Sequence, residues 1–207
     1  MRARVLPAGD EALLIEVGSA AEVAALHAEL VRRREAGELD GVRDIVPAAR
    51  TVLLDGVRDP VALAAEVAGW EPAPLAEGEG PLVTVPVRYD GPDLAEVARR
   101  WAVTEREVAE IVGATVFRVA FCGFAPGFGY LTGLPERLRL PRRATPRTAV
   151  PAGSLALAGA YAGVYPRSSP GGWQLIGSTD AVLWDPRREP AALFAPGVRV
   201  RFTGAGP

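Results

Sequence analysis

The chain has 207 residues, one His, one Cys, 25 acidic and 23 basic side chains and a net charge of −2; every basic side chain is Arg, and neither Lys nor Asn occurs. Without lysine there is no Walker-type phosphate loop, no lysine Schiff base and no lysine-borne biotin, and one His with one Cys excludes an internal disulfide, a Cys-rich zinc site and the His pair of H-E-x-x-H metalloproteases. The near-neutral balance offers no global attraction for nucleic acid or an anionic membrane, and with no run of 18 apolar residues the chain reads as a soluble cytoplasmic protein.

From the N-terminus, Ala12 to Val17 reads as a buried strand. Ser19 then caps a helix in which Val23, Leu26, Leu30 and Val31 share a face, stopping near Gly37. Short strands over Val42 to Pro47 and Thr51 to Leu54 precede a helix from Pro60 to about Ala68, where proline suits the first turn. The order β-α-β-β-α predicts a ferredoxin-like α/β domain over 1–70. Residues 71–80, rich in Pro, Gly and acid, read as a linker, and 81–207 as a second domain.

Leu82 to Val87 is a predicted strand, and Gly91-Pro92 is expected to open a helix carrying Leu94, Val97, Ala98 and Trp101 on one face. Thr104 and Glu107 form a capping box for a further helix ending near Gly113. Beyond it the pattern changes to short apolar runs between Gly and Pro: 115–121, 154–158, 161–165, 174–176, 182–184 and 198–202. Many short strands separated by turn residues predict a closed β-barrel, giving an α+β chain as a whole.

Three stretches bear on chemistry. Gly123 to Gly133 holds four glycines with Phe124, Phe128 and Tyr130. It is either an N–H nest for an anion with an aromatic wall, including Pro126 and Gly127, or a tight loop anchored by core aromatics. Arg137, Arg139, Arg142, Arg143 and Arg147 put five guanidiniums into eleven residues. Interrupted by Pro141 and Pro146, they form an extended loop that either holds a carboxylate or phosphate or is simply solvated. Val150-Pro151-Ala152-Gly153-Ser154 and Ser169-Pro170-Gly171-Gly172-Trp173 each set a turn before a strand, with Ser154 as either turn chemistry or a polar ligand contact. His27, at the edge of a helix face, and Cys122, at the end of an apolar strand, lack the partners a base or nucleophile needs.

The run Phe121-Cys-Gly-Phe-Ala-Pro-Gly-Phe-Gly-Tyr-Leu131, Pro141-Arg142, Thr145-Pro-Arg147, Val150 to Ser154, Gly163-Val-Tyr-Pro166 and Ser169 to Gly177 resembles the family of the B-type subunit of 5-oxoprolinase. That family is also called allophanate hydrolase subunit 1 and includes the sporulation kinase inhibitor KipI. The likeness extends more loosely over the whole chain. It implies a small N-terminal α/β domain followed by a cyclophilin-like β-barrel. It also implies a share in an ATP-dependent hydrolase complex, with or without Mg, beside a carboxyltransferase-like C-type subunit (an allophanate hydrolase subunit 2 homologue) and a third amidohydrolase subunit. Phe124, Pro126, Gly127, Phe128, Tyr130, Arg142, Arg147, Pro151, Gly153, Ser154, Tyr165, Gly171, Gly172 and Trp173 are the candidates for binding substrate or nucleotide. No metal ligand set and no catalytic residue stand out. Gly129, Tyr161-Ala162 and Ser178 depart from the family pattern, where Pro, Gln-Thr and Arg are usual. The resemblance also implies a regulatory alternative, inhibition of a sensor histidine kinase; prolyl isomerisation rests on the barrel alone.

Overall fold

The computed structural model describes residues 3–75 and 80–204. These fall into two compact units, Met1–Glu79 and Gly80–Pro207. Of the linker expected over 71–80, residues 76–79 lie outside the described residues.

In the first unit, β1 (Arg4–Pro7), β2 (Ala12–Glu16), α1 (Ala20–Glu35), β3 (Asp44–Pro47), β4 (Thr51–Asp55) and α2 (Pro60–Ala68) form a sheet of order β1-β2-β4-β3 beside two helices. All neighbours are antiparallel. β2, α1 and β3 make a split β-α-β unit with β4 between the two strands, which is the ferredoxin-like arrangement. The outer strand next to β2 is the N-terminal β1, a strand absent from the expected order. The Ser19 side chain accepts the Glu22 amide at the start of α1, and Arg32, Arg33 and Arg34 lie in its last turn, where positive charge suits the helix dipole. Leu26, Leu30, Ile15, Val52 and Leu54 are fully buried together, each contributing about 1.5–3 kcal/mol of transfer free energy. Val31 lies at the margin of that face, half-buried.

The second unit begins with β5 (Leu82–Val87), α3 (Leu94–Trp101) and α4 (Glu105–Ala114), followed by β6 (Val116–Cys122) and β7 (Gly129–Thr132). A single 3₁₀ turn (Glu136–Leu138) leads to β8 (Arg147–Val150), β9 (Ser154–Ala158), β10 (Tyr161–Val164), β11 (Ser169–Gly171), β12 (Gln174–Ser178) and β13 (Arg199–Gly204). Seven strands run in the order β12-β9-β10-β7-β6-β13-β5, with β13 parallel to β5 and the other pairs antiparallel. Arg88 and Ser178 exchange backbone hydrogen bonds of 2.8 Å each, joining the end of β5 to the end of β12. The sheet thus curls into a nearly closed, cyclophilin-like barrel around Phe117, Leu131, Leu155, Leu157, Ile176 and Phe202. β8 and β11 form a separate two-stranded ribbon.

Several local expectations are corrected. The helix after Gly91-Pro92 starts only at Leu94, and Asp93 at its N-cap makes no side-chain capping bond because its carboxylate is engaged elsewhere. The capping box at Thr104 and Glu107 is complete and α4 ends, as expected near Gly113, at Ala114. Val182 to Trp184 forms no strand: the Val182 and Leu183 carbonyls accept from Arg188 and from the Leu193 amide in an irregular loop. Part of the glycine loop is instead the strand β7, and the Arg-rich loop ends in β8.

Candidate functional site

The glycine loop turns on itself. The amides of Gly123, Ala125 and Phe128 donate to Phe128, Gly123 and Ala125 carbonyls at 2.8–3.2 Å, so these three are not free to form an anion nest. Gly127, at φ +84°, sits where a Cβ would lie 2.9 Å from the Trp184 Cβ; only glycine fits so close a turn. Phe124 has φ +68°, a left-handed conformation that strains a bulky residue. Its ring is held edge-on against Phe128 and Tyr165, with centroids at 5.3 and 6.0 Å, yet 56% of the residue is exposed.

Phe128 is the hub beneath it. It packs edge-on to Tyr165 at 5.4 Å, Trp173 at 5.6 Å and Tyr130 at 5.0 Å, and Tyr130 in turn meets Trp173 at 5.7 Å. Such edge-to-face pairs add about 0.5–1.5 kcal/mol beyond area burial, which fixes the wall rigidly. The rings, with Arg142, Pro170, Gly171 and Gly172, line a cleft of about 120 Å³. A Cβ on Gly171 would lie 2.3 Å from the Tyr165 hydroxyl, so glycine admits that hydroxyl to the cleft floor. Burial pushes the Tyr165 hydroxyl pKa up, against the opposing pull of the Arg142 charge.

The Arg-rich segment divides by function. Arg139 pairs with Glu136 at 2.7 Å. Arg143 and Arg147 converge on Asp93, a carboxylate only 4% exposed: Arg143 donates at 2.7 Å, Arg147 donates twice at 2.9 Å, and the Leu175 amide donates at 2.7 Å. Burial alone would raise the Asp93 pKa; the hydrogen bonds from Arg147 and Leu175, with the charges of Arg147 and Arg143, outweigh it and hold the carboxyl below the usual carboxylate range. Nothing in the sequence marks Asp93 as a site residue, since there it reads as part of a helix start. Arg142, next to this clamp, is exposed and has no ion pair or hydrogen bond among the described residues.

Arg147, Pro151 and Ser154 line a different hollow of about 320 Å³, with Asp90, Gly91 and Ser178. Ser154 Oγ donates to the Pro151 carbonyl at 2.8 Å, closing the turn before β9. Gly153, at φ +79°, approaches so closely that a Cβ would stand 2.1 Å from the Thr179 carbonyl. Ser178 sits with its Oγ 2.8 and 2.9 Å from the Asp90 oxygens. The sequence-predicted residues therefore separate: Phe124, Phe128, Tyr130, Arg142, Tyr165, Gly171, Gly172 and Trp173 share the aromatic cleft, Arg147, Pro151 and Ser154 share the larger hollow, and Pro126, Gly127 and Gly153 line neither.

Burial lifts the Cys122 thiol to about 11, with its Sγ 3.6 Å from the Phe194 carbonyl, and lowers the His27 pKa in the N-terminal unit with help from Arg34. Among the described residues no group of three His, Cys, Asp or Glu side chains is placed to hold a metal ion, and no helix is long and apolar enough to cross a membrane.

Fold and cleft together are those of a cyclophilin-like barrel module joined in sequence to a ferredoxin-like unit. The chain belongs to the family described as carboxyltransferase domain, subdomain C and D, which it matches over residues 3–194. It is 37% identical to the B-type subunit of 5-oxoprolinase from Escherichia coli O157:H7 over 97% of this chain and 95% of that protein. The crystal structure of TTHA0988 superposes with a TM-score of 0.79 at 34% identity, over 96% of this chain, which spans only 40% of that longer protein. Kluyveromyces lactis urea carboxylase shares the fold, with a TM-score of 0.72 at 17% identity over 99% of this chain and 22% of that protein.

Proposed function

We propose that this chain is the B-type subunit of an ATP-dependent amidohydrolase complex that opens 5-oxoproline to glutamate, active only with a carboxyltransferase-like partner and a third amidohydrolase subunit. The observation that carries the reading is the similarity to a protein named as the B-type subunit of 5-oxoprolinase along nearly the full length of both chains. Allophanate is the alternative substrate of the same amide class.

In lactam opening, water adds to the ring carbonyl, the C–N bond breaks, and the ring nitrogen leaves as the amine with a proton. Negative charge develops on the carbonyl oxygen, where fixed donors give the largest catalytic gain. This chain offers ring-binding aromatics and a guanidinium but no evident base: neither His27, which belongs to the first unit, nor Cys122, whose thiol burial raises to about 11, lines the cleft. That composition suits a subunit that binds and orients substrate while its partners supply proton transfer. ATP supplies the coupling free energy in the complex. The residues here do not fit a nucleotide on their own, because the aromatic cleft is far below the ~300–1,000 Å³ of larger ligand pockets. The larger hollow presents the Asp90 carboxylate, and its Arg147 is engaged by Asp93. We therefore place ATP on the partner subunits.

Affinity purification from the native cell tests the assignment. Recovery of a carboxyltransferase-like polypeptide is the expected result; recovery of a sensor kinase in its place would replace the enzyme reading with the regulatory one.

A further inference from the structure

We propose that the aromatic cleft beneath Phe124 seats a small, flat, ring-shaped monocarboxylate, with Arg142 as the residue that takes the carboxylate and Asp93 as the positioning residue that keeps Arg143 and Arg147 away from it. The identity of the ring as a lactam rests on the function proposed above; the site itself rests on geometry.

Three observations converge. The first is the cleft's shape and size: about 120 Å³, the space of roughly four waters, walled by rings. A single five-membered ring fits such a space, and a nucleotide or a peptide does not. The second is its polar content. Apolar walls with a few unpaired polar groups are the signature of a ligand site. Here the Tyr130 and Tyr165 hydroxyls, the Trp173 indole N–H and the Arg142 guanidinium make no hydrogen bond to other described residues and are not among the buried unpaired atoms, so each stays accessible to a ligand in the cleft.

The third is how Arg142 is held. On one side the Pro141 carbonyl accepts from the buried Gln174 amide at 3.2 Å, and on the other the Arg143 amide donates to the Gly172 carbonyl at 2.7 Å. Arg143 and Arg147 are then drawn onto Asp93, which also receives the Leu175 amide. Gly172, Gln174 and Leu175 flank Trp173, so the same contacts fix both Arg142 and the cleft wall. Asp93 removes two guanidiniums from competition and leaves the third, on a backbone anchored at both neighbours, facing a pocket without a counter-charge. A guanidinium in that setting matches a carboxylate in a bidentate pair.

The test uses the full chain and the reconstituted complex. Intrinsic fluorescence of the full chain, to which Trp173 contributes as one of four tryptophans, is titrated with 5-oxoproline and with 2-pyrrolidinone, the same ring without the carboxylate, for wild type, Arg142→Gln and Arg137→Gln; kinetics of the complex are measured in parallel. The expected result is that Arg142→Gln weakens 5-oxoproline about ten- to a hundredfold, leaves 2-pyrrolidinone unchanged, and raises KM with kcat within about twofold. Arg137→Gln, another exposed Arg of the same segment, changes nothing. In an Asp93→Asn background the two other guanidiniums are freed and can also take the carboxylate, so Arg142→Gln weakens 5-oxoproline less than it does in the wild-type background; an undiminished loss would remove the positioning role from Asp93. Equal loss for both ligands in Arg142→Gln, or no loss for either, would overturn the proposal. An active complex whose KM ignores Arg142 rejects the site and keeps the function. An inactive complex with Arg142-dependent binding of cyclic carboxylates rejects the function and keeps the site.

Discussion

Replacing Asp93 with Ala removes one side chain that accepts four hydrogen bonds in the barrel unit. Two guanidiniums lose their counter-ion and the Leu175 amide loses its acceptor. Breaking a buried ion pair from one side costs about 3–5 kcal/mol. The Arg143 and Arg147 side chains are 35% and 23% exposed, so water recovers part of the loss, and the expected destabilisation is about 3 kcal/mol. Urea unfolding followed by tryptophan fluorescence reads this directly: with a slope of about 1–3 kcal/mol per molar, the midpoint should fall by about 1–3 M. The pH dependence gives a second reading. Asp93 is depressed in the folded state, so its contribution is complete above its unfolded value of about 3.9 and is lost as pH falls through the lower folded value. The gap between wild type and Asp93→Ala should therefore stay constant between about pH 5 and 8 and close below about pH 4. A midpoint that does not move at neutral pH would refute the clamp.

Gly153→Ala should cost more than about 2 kcal/mol in the same assay, since it combines a left-handed backbone with a Cβ 2.1 Å from the Thr179 carbonyl; Gly159→Ala, at φ +58° with open space around it, should cost only about 1 kcal/mol. Phe124→Gly should leave stability within about 1 kcal/mol, because relief of the φ +68° backbone offsets the lost contacts of a half-exposed ring, while affinity for a ring ligand drops about two- to tenfold in fluorescence titration. Cys122, its thiol raised to about 11, should react with iodoacetamide at pH 8 at least about a hundredfold more slowly than a free thiol, with rates rising about tenfold per pH unit up to pH 10.

The parts of the fold legible in the sequence are those set by local chemistry. Ser19 before an amphipathic run, the Thr104 and Glu107 capping box and Pro60 at a first turn place three helix starts, and each is a bond or a backbone preference between near neighbours. β1 escapes such a reading because four residues ending in Pro7 carry no readable period and owe their strand geometry to pairing with β2. β7 is hidden by its glycine and by β6, whose bulge between Val119 and Phe121 sets Phe121 in stacked contact with Tyr130 at 4.4 Å. In the site, the aromatics and Arg142 stand in the motif series, and the barrel brings them together. What composition hides is which arginine faces the cleft. Five guanidiniums in one segment look equivalent until Asp93, 50 residues from Arg143 in sequence, claims two of them. That contact is non-local, and no spacing rule along the chain predicts it.

Reconstitution tests whether this chain is an indispensable part of a lactam-opening complex. Glutamate release from 5-oxoproline is followed in a mixture of the carboxyltransferase-like and amidohydrolase subunits with ATP, with and without this chain. Release is expected only when ATP and this chain are both present; equal release without the chain would rule out the proposed role.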